Sequence, residues 1–123
     1  METIGSKYNV YDEKCPSRQV LDLIADKWTA LVIGQLGRRT MRFSALHREI
    51  DGISQKMLTH TLRELERNGI VKRTVYPEVP PRVEYELTHL GQKLSEPLAA
   101  IRIWAENHID EVSAAQAAYD GRI

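Results

Sequence analysis

The chain has 123 residues, of which 17 are basic and 17 are acidic, so its formal net charge at neutral pH is zero. This length suits one domain with its own core, and the charge balance excludes a protein that is basic throughout. No stretch is long and apolar enough to cross a membrane, and the opening METIGSKYNVYDEK lacks the apolar core of a secretion signal. We therefore expect a cytoplasmic protein with no membrane partner.

Two helices are predicted after a polar N-terminal arm. Residues 1–14 are expected to form this arm and to be flexible. The first helix can be capped by Ser17 or Cys15. Its apolar positions are Val20, Leu21, Leu23 and Ile24. The second helix runs from about Asp26 to near Gly37. The positions expected to face the core from it are Trp28, Leu31, Val32 and Leu36.

A short helix and a longer one follow, with a tight turn between them. The short helix is predicted at residues 42–50, and Asp51-Gly52 ends it. Its apolar positions are Phe43, Leu46 and Ile50. The longer helix has Ser54 as its N-cap and Asn68-Gly69 as a left-handed stop. Two helices joined in this way predict a helix-turn-helix whose second helix lies in the major groove of DNA.

At 100° per residue, the longer helix separates into an apolar and a polar face. The apolar face carries Met57, Leu58, Thr61, Leu62 and Leu65. The polar face carries Gln55, Lys56, Thr59, His60, Arg63, Glu66 and Arg67. Lysine and arginine reach phosphates, and glutamine, threonine and arginine can also read base edges. A solvated amphipathic helix has the same pattern, so the segment that follows decides between the two interpretations.

The apolar pattern changes to a period of two after the longer helix, which predicts a β-hairpin from residues 70–76 and 83–87. Lys72 and Thr74 are expected to lie on the solvated face beside Glu84 and Glu86, an arrangement that favours one register. The connection is stiffened by Pro77, Pro80 and Pro81. Arg82 follows it, where its cation can meet a phosphate or the minor groove. A helix followed by a basic hairpin is the order of a winged helix-turn-helix.

Basic residues are concentrated at this predicted DNA-reading unit. Residues 37–73 contain nine basic and four acidic residues, whereas residues 94–123 contain two basic and five acidic ones. A local basic patch is typical of a nucleic-acid-binding surface. The predicted DNA contacts are Arg42, Ser54, Gln55, Lys56, Thr59, His60, Arg63, Arg67 and Arg82.

The stretch FSALHREIDGISQKMLTHTLRELERNGIVKRTVYPEVPPRVEYELTHLG resembles the signature of the HxlR-type transcriptional regulators, winged helix proteins related to the MarR group. Upstream, CPSRQVLDLIADKWTALVIGQL resembles the opening helices of that family, and the likeness covers about Cys15 to His108. The resemblance implies a dimeric bacterial or archaeal regulator whose partner is double-stranded DNA.

Thr88 is predicted to cap a long last helix, in which Pro97 is expected to introduce a kink. Its apolar seam repeats at steps of three and four residues, at Leu94, Leu98, Ile101, Ala105, His108 and Val112. The end from Leu90 to Leu98 can cover the winged domain, but the apolar residues beyond it exceed what so small a core absorbs. We therefore expect a homodimer interface at Ile101, Trp104, Ala105, His108, Ile109 and Val112.

The expected fold is mainly α with a small β-hairpin, a winged helix-turn-helix with a terminal dimerisation helix. Its expected parts are a flexible arm at residues 1–14, a winged helix DNA-binding domain at 15–93, and a C-terminal dimerisation helix and tail at 94–123. Two-fold symmetry predicts a palindromic operator with half-sites about 10 base pairs apart or slightly more.

Motifs for enzymatic activity are missing from the sequence, which has no glycine-rich phosphate loop, HExxH or CxxC. The densest ligand-like group is Glu106, His108, Asp110 and Glu111, which we interpret as a solvated helix face. We expect no enzyme, cofactor or metal. The alternative class is a winged helix protein-interaction module that reads no DNA, and the basic count of the predicted reader disfavours it.

Cys15 is the only cysteine, so an intrachain disulfide is impossible. A lone cysteine is usually an inert side chain, but Lys14, Pro16 at a first helical position, and Arg18 place this thiol near a positive helix N-terminus, which lowers a thiol pKa. The HxlR-type resemblance strengthens the interpretation of Cys15 as a candidate redox or electrophile sensor. The competing signal is a small apolar effector between the last helix and the winged domain. Its candidate lining is Trp28, Tyr85 and Trp104.

Overall fold

A computed structural model of the protein describes residues 7–122 and confirms a mainly helical winged helix-turn-helix. Its elements are α1 (Pro16–Ala25), α2 (Lys27–Leu36), β1 (Met41–Arg42), α3 (Phe43–Glu49), α4 (Gln55–Arg67), β2 (Val71–Tyr76), β3 (Arg82–Leu87) and α5 (His89–Asp120). Within these residues no helix is both long and apolar enough to span a membrane.

Side-chain caps fix where three of the helices begin. The Asp26 carboxylate accepts a hydrogen bond from the backbone N–H of Thr29 at α2, 3.1 Å away. The Ser54 hydroxyl accepts from Met57 N–H at α4, at 3.0 Å, and the Thr88 hydroxyl accepts from Gly91 N–H at α5, at 3.1 Å. Such bonds satisfy N–H groups that have no partner inside the helix. The predicted caps of α4 and α5 are thus confirmed.

The sheet has three antiparallel strands in the order β1-β3-β2. In the hairpin, Lys72 pairs with Glu86 and Thr74 with Glu84, which confirms the predicted register. The strand β1 was not expected, because the sequence analysis placed Arg42 at the start of a helix. Two residues are too short to show a strand period. Burial of Met41, 3% exposed and paired with Tyr85, holds them in the sheet.

The core surrounds α2, which packs against the other four helices and β3. The largest fully buried side chains of the core include Ile33, Leu36, Leu46, Leu58 and Leu65. Two positions predicted to face inwards are exposed. Met57 lies in the exposed first turn of α4, and Leu31 faces a groove between α2 and α5. Helix α1 has no buried residue and leaves both Val20 and Leu21 exposed, because it packs mainly on α2.

Helix α5 begins inside the domain and continues beyond it. Its first turn lies so close to the start of the wing that a Cβ on Gly91 would collide with the carbonyl oxygen of Ile70. Leu98 is buried, and the helix continues through Pro97. From residue 101 to 122 every residue is exposed except His108 and Val112, which are partly buried. The predicted boundary at residue 94 falls within this helix, and the division into domains remains a prediction.

Residues 7–14, part of the predicted arm, form turns that lie against α1. The backbone N–H of Asp12 donates to the carbonyl of Asn9, and the Arg18 guanidinium donates to the carbonyl of Val10 at 2.9 Å. Residues 1–6 of the predicted arm lie outside the described residues.

Candidate nucleic-acid interface

Helix α4 buries its apolar side and presents its polar side to solvent. The buried residues are Leu58, Thr61, Leu62 and Leu65. Those predicted to contact DNA are exposed at Gln55, Lys56, His60, Arg63 and Arg67, and partly buried at Thr59. The turn before the helix is set by Gly52, whose φ of 85° suits glycine, and Gly69 at φ 75° ends it. The helix-turn-helix therefore presents one continuous polar face.

The cations of this face are unpaired. Within residues 7–122 every ion pair involves Arg82, Arg102 or His108. Lys56, Arg63 and Arg67 are therefore exposed and uncompensated at short range. Such cations can approach phosphates without first losing a carboxylate partner.

A cleft of about 360 Å³ separates α4 from the sheet. Its lining is Thr59, Leu62, Arg63, Glu66, Arg73 and Tyr85. Arg73 is cross-strand partner to Tyr85, so both side chains lie on the sheet face that is turned to α4. Arg73 is not among the DNA contacts predicted from the sequence. The signal that could have found it was a cation alternating with Val71 and Val75 on one face of the strand.

Two further predicted contacts lie at the edges of this region. Ser54 is exposed, and its hydroxyl is already used as the cap of α4. Arg42 is exposed on β1 and pairs in register with Glu84 of β3, on the side of that strand away from β2. The structure therefore groups Gln55, Lys56, Thr59, His60 and Arg63 on α4, whereas Arg42 lies on a different element, β1.

Arg82 differs from the free cation expected at the wing. Its guanidinium lies 3.0 Å from the Glu78 carboxylate and 3.7 Å from that of Glu84, and it stacks over the Tyr76 ring at 4.0 Å. Its side chain is 30% exposed. The single predicted cation of the wing tip is thus already held by groups of the same hairpin.

The predicted dimer interface on α5 is largely exposed. Ile101 is 65% exposed, Trp104 59% and Ile109 54%, and Ala105 is exposed as well. The Trp104 ring lies 4.9 Å from that of His108, whose Nδ1 is 2.9 Å from the Glu111 carboxylate. Among residues 7–122 no group of three or more potential ligands is arranged to hold a metal ion.

The predicted effector lining is not assembled. Trp28 lies under the Lys27 amine, Tyr85 lines the cleft beside α4, and Trp104 is exposed on α5. A groove of about 780 Å³ runs instead between α2 and α5. Its apolar lining includes Ala30, Leu31, Leu98, Ile101 and Ala105.

Cys15 occupies the N-cap position of α1 with Pro16 at the first turn. Its partly buried sulfur lies 3.0 Å from the Ser17 hydroxyl and accepts from the Asn9 N–H at 3.3 Å. The hydrogen bond with the Ser17 side chain, followed by that from Asn9, lowers the pKa of the Cys15 thiol. The expected cause was a positive helix N-terminus with basic neighbours. The Arg18 guanidinium is instead bound to backbone carbonyls, whereas the backbone N–H of Ser17, in the first turn of α1, does help to lower the pKa.

Known proteins resemble this chain in sequence and in fold. The pattern of the HxlR-like helix-turn-helix family matches residues 23–113. An HTH-type transcriptional regulator of Escherichia coli, YtfH, is 46% identical over 106 residues, which are 86% of this chain and 84% of YtfH. The structure of ytfH from Salmonella typhimurium has a TM-score of 0.85 and 41% identity, covering 90% of this chain and 99% of that one. The reduced form of the redox regulator HypR has a TM-score of 0.74 and 38% identity, covering 80% and 98%.

Proposed function

The chain belongs to the HxlR-like family of DNA-binding helix-turn-helix transcriptional regulators, which are not enzymes, and on this premise we propose how it reads DNA. It acts as a homodimer on a palindromic operator, with the exposed face of α4 in the major groove. Gln55, Lys56, Thr59, His60 and Arg63 face the bases and the adjacent phosphates, and Arg82 belongs to the wing. Arg42, Ser54 and Arg67 contribute at the margins of the same surface.

The observation that carries the proposal is the unpaired polar face of α4. Lys56, Arg63 and Arg67 lie exposed on this one helix and have no carboxylate of the described chain within ion-pair distance. Phosphates neutralise such cations and release counterions, which drives association. Arg73, across the cleft from Arg63, adds a cation where the DNA backbone would pass between helix and wing. These features disfavour a winged module that binds only protein.

The homodimer is supported by the α5 seam. Leu94 and Leu98 pack on the domain, and the same helical face continues outward as Ile101, Ala105 and Val112. Exposed apolar residues in one contiguous patch are typical of an interface between subunits. The groove between α2 and α5 lies beside this patch and offers further apolar surface. A second copy of the chain is therefore the proposed partner of α5, through Ile101, Trp104, Ala105, His108, Ile109 and Val112.

Selection of binding sites from a random pool of duplex DNA tests the proposal. The enriched sequences are expected to share a palindrome with half-sites about 10 base pairs apart, because a two-fold axis presents two α4 helices to successive major grooves. Selection with an Arg63→Ala variant should lose the preference at one base pair per half-site. Enrichment of an isolated half-site would contradict the dimer, and no enrichment over the input would favour the protein-binding alternative.

We propose Cys15 as the point at which a signal acts. The name of HypR describes that protein as a redox regulator, and its similarity to this chain supports a thiol-based signal. The lowered thiol pKa supports it physically, because the thiolate is the nucleophile. A quinone or a mild oxidant should change operator affinity in the wild type and leave Cys15→Ser unaffected. An equal response of both proteins would favour the second candidate, a small apolar effector in the groove between α2 and α5.

A further inference from the structure

At the wing tip, the guanidinium of Arg82 contacts side chains of its own hairpin. Glu78 and Glu84 lie at 3.0 and 3.7 Å from the two terminal nitrogens of Arg82, and the Tyr76 ring covers one face of the group. The Nε atom of Arg82 is buried and has no hydrogen-bond partner among residues 7–122. Little of this cation is therefore directed at solvent.

Together, Glu78, Glu84 and Arg82 carry a net negative charge. Two carboxylates surround one guanidinium, and the Glu78 side chain is the most exposed of the three at 53%. The Glu78 carboxylate lies 3.0 Å from the guanidinium and is itself exposed, so it repels a phosphate that approaches Arg82. The cations of α4 have no such neighbour, so the helix and the wing differ in how readily they accept DNA.

We propose that Glu78 and Glu84 are positioning residues that withhold Arg82 from DNA and so limit the contribution of the wing to binding. A phosphate that binds Arg82 must compete with both carboxylates for the same guanidinium. Ion pairs at a protein surface are weak, so this one can be exchanged for a phosphate contact, and breaking it offsets part of the gain from that contact. The proposal rests on the proposed DNA-reading function and adds a determinant of affinity to it.

Glu78→Gln tests the restraint with little risk to folding, because the side chain is exposed and glutamine has nearly the same shape. The probe is a fluorescently labelled duplex of mixed sequence, titrated at salt concentrations from about 50 to about 200 mM. Release of Arg82 to one phosphate should raise affinity at the lowest salt about fivefold and steepen the salt dependence of log K by about 0.9. Glu84→Gln should act in the same direction and confirm that the effect belongs to the pair.

Two comparisons separate release of Arg82 from a general loss of negative charge. Asp120→Asn removes an equal charge at the far end of α5 and should leave affinity and salt slope unchanged. The Glu78→Gln effect should disappear in an Arg82→Gln background. Circular dichroism of each variant verifies the fold.

An unchanged or lower affinity of Glu78→Gln overturns the restraint, since the carboxylate would then be neutral or would present Arg82 to DNA. A gain that persists without Arg82 also overturns it. If neither the wild type nor any variant binds the duplex, the proposed function itself fails and the restraint fails with it. Binding by the wild type with no gain in the variant refutes the restraint alone.

Discussion

Helix α4 and the distal part of α5, residues 101–120, differ in which of their side chains are left exposed. In α4 the apolar side is buried in the core, and the polar side with its unpaired cations is exposed. In distal α5 the apolar residues themselves are exposed, and the described chain offers nothing to cover them. An exposed cationic face can bind a polyanion, whereas an exposed apolar patch is buried favourably against another apolar surface. The difference fits the two proposed partners, DNA for α4 and a second subunit for α5.

The largest effect on operator affinity is expected from a charged substitution in the apolar surface of distal α5. Ile101→Glu places a charge in the seam and should give a monomer that retains its winged domain. Operator affinity should fall by more than about 100-fold, or ~3 kcal/mol, because a single half-site makes too few contacts. Sedimentation measures the assembly, circular dichroism the fold, and fluorescence anisotropy the affinity.

Ile103→Glu is the matched control, since it introduces the same charge on the same helix at an exposed isoleucine that lies off the seam. It should remain dimeric and bind the operator as the wild type does. Equal loss of affinity in both variants would mean that charge on α5, and not the seam, controls binding. Trp104→Glu should repeat the effect of Ile101→Glu.

The polar surface of α4 gives an intermediate effect. Arg63→Ala should weaken operator binding by about 1 to 3 kcal/mol and relax the preference at one base pair if Arg63 contacts a guanine. Arg122→Ala removes a cation at the end of α5 and serves as its control. Should Arg63→Ala bind the selected operator as tightly as the wild type, the assignment of α4 as the reader would be wrong.

The wing gives a smaller effect than α4. Arg82→Ala should weaken all sequences alike and flatten the salt slope by much less than the ~0.9 of a full phosphate contact, because most of that contact is withheld in the wild type. Because Glu78 and Glu84 already compensate Arg82, the loss of affinity should be less than that caused by Arg63→Ala. A larger loss for Arg82→Ala would show that the wing, and not α4, dominates binding.

The smallest effect is expected at Cys15, which lies on neither the polar face of α4 nor the apolar face of α5. Its lowered pKa means that the thiolate forms at lower pH in the folded chain than in the unfolded one. The stabilisation this brings is complete above the unfolded pKa and is lost as pH falls through the folded pKa. Iodoacetamide labelling near neutral pH should therefore be faster than for free cysteine, and Ser17→Ala should shift the labelling midpoint to higher pH. Ser113→Ala on α5 is the control, and an unchanged midpoint in Ser17→Ala would remove the assigned cause.

Local chemistry made much of the fold predictable. The caps at Ser54 and Thr88 and the glycine stop after α4 depend on residues next to each helix end, and the hairpin register depends on alternation within two short segments. The strand β1 escaped prediction because Met41 and Arg42 are held by pairing with β3, far away in sequence. The exposure of Met57 likewise depends on where the first turn of α4 lies relative to the core, which periodicity does not specify.

The candidate site was predictable to a different degree in each part. The polar face of α4 follows from helical spacing alone. The capture of Arg82 by Glu78 and Glu84 depends on how the hairpin brings three side chains together, so the sequence suggested only a free cation. The hydrogen bonds to Cys15 come from Ser17 and Asn9, close in sequence, but the turn that aligns them was expected to be flexible.

The central claim is that two copies of this chain form the unit that reads DNA. Sedimentation equilibrium of the wild type at micromolar concentration, alone and with the selected duplex, tests it most directly. We expect twice the mass of one chain for the free protein and two chains on each palindromic duplex. A single-chain mass for the free protein, with one chain on each duplex, would contradict it and assign the exposed face of α5 to some other role.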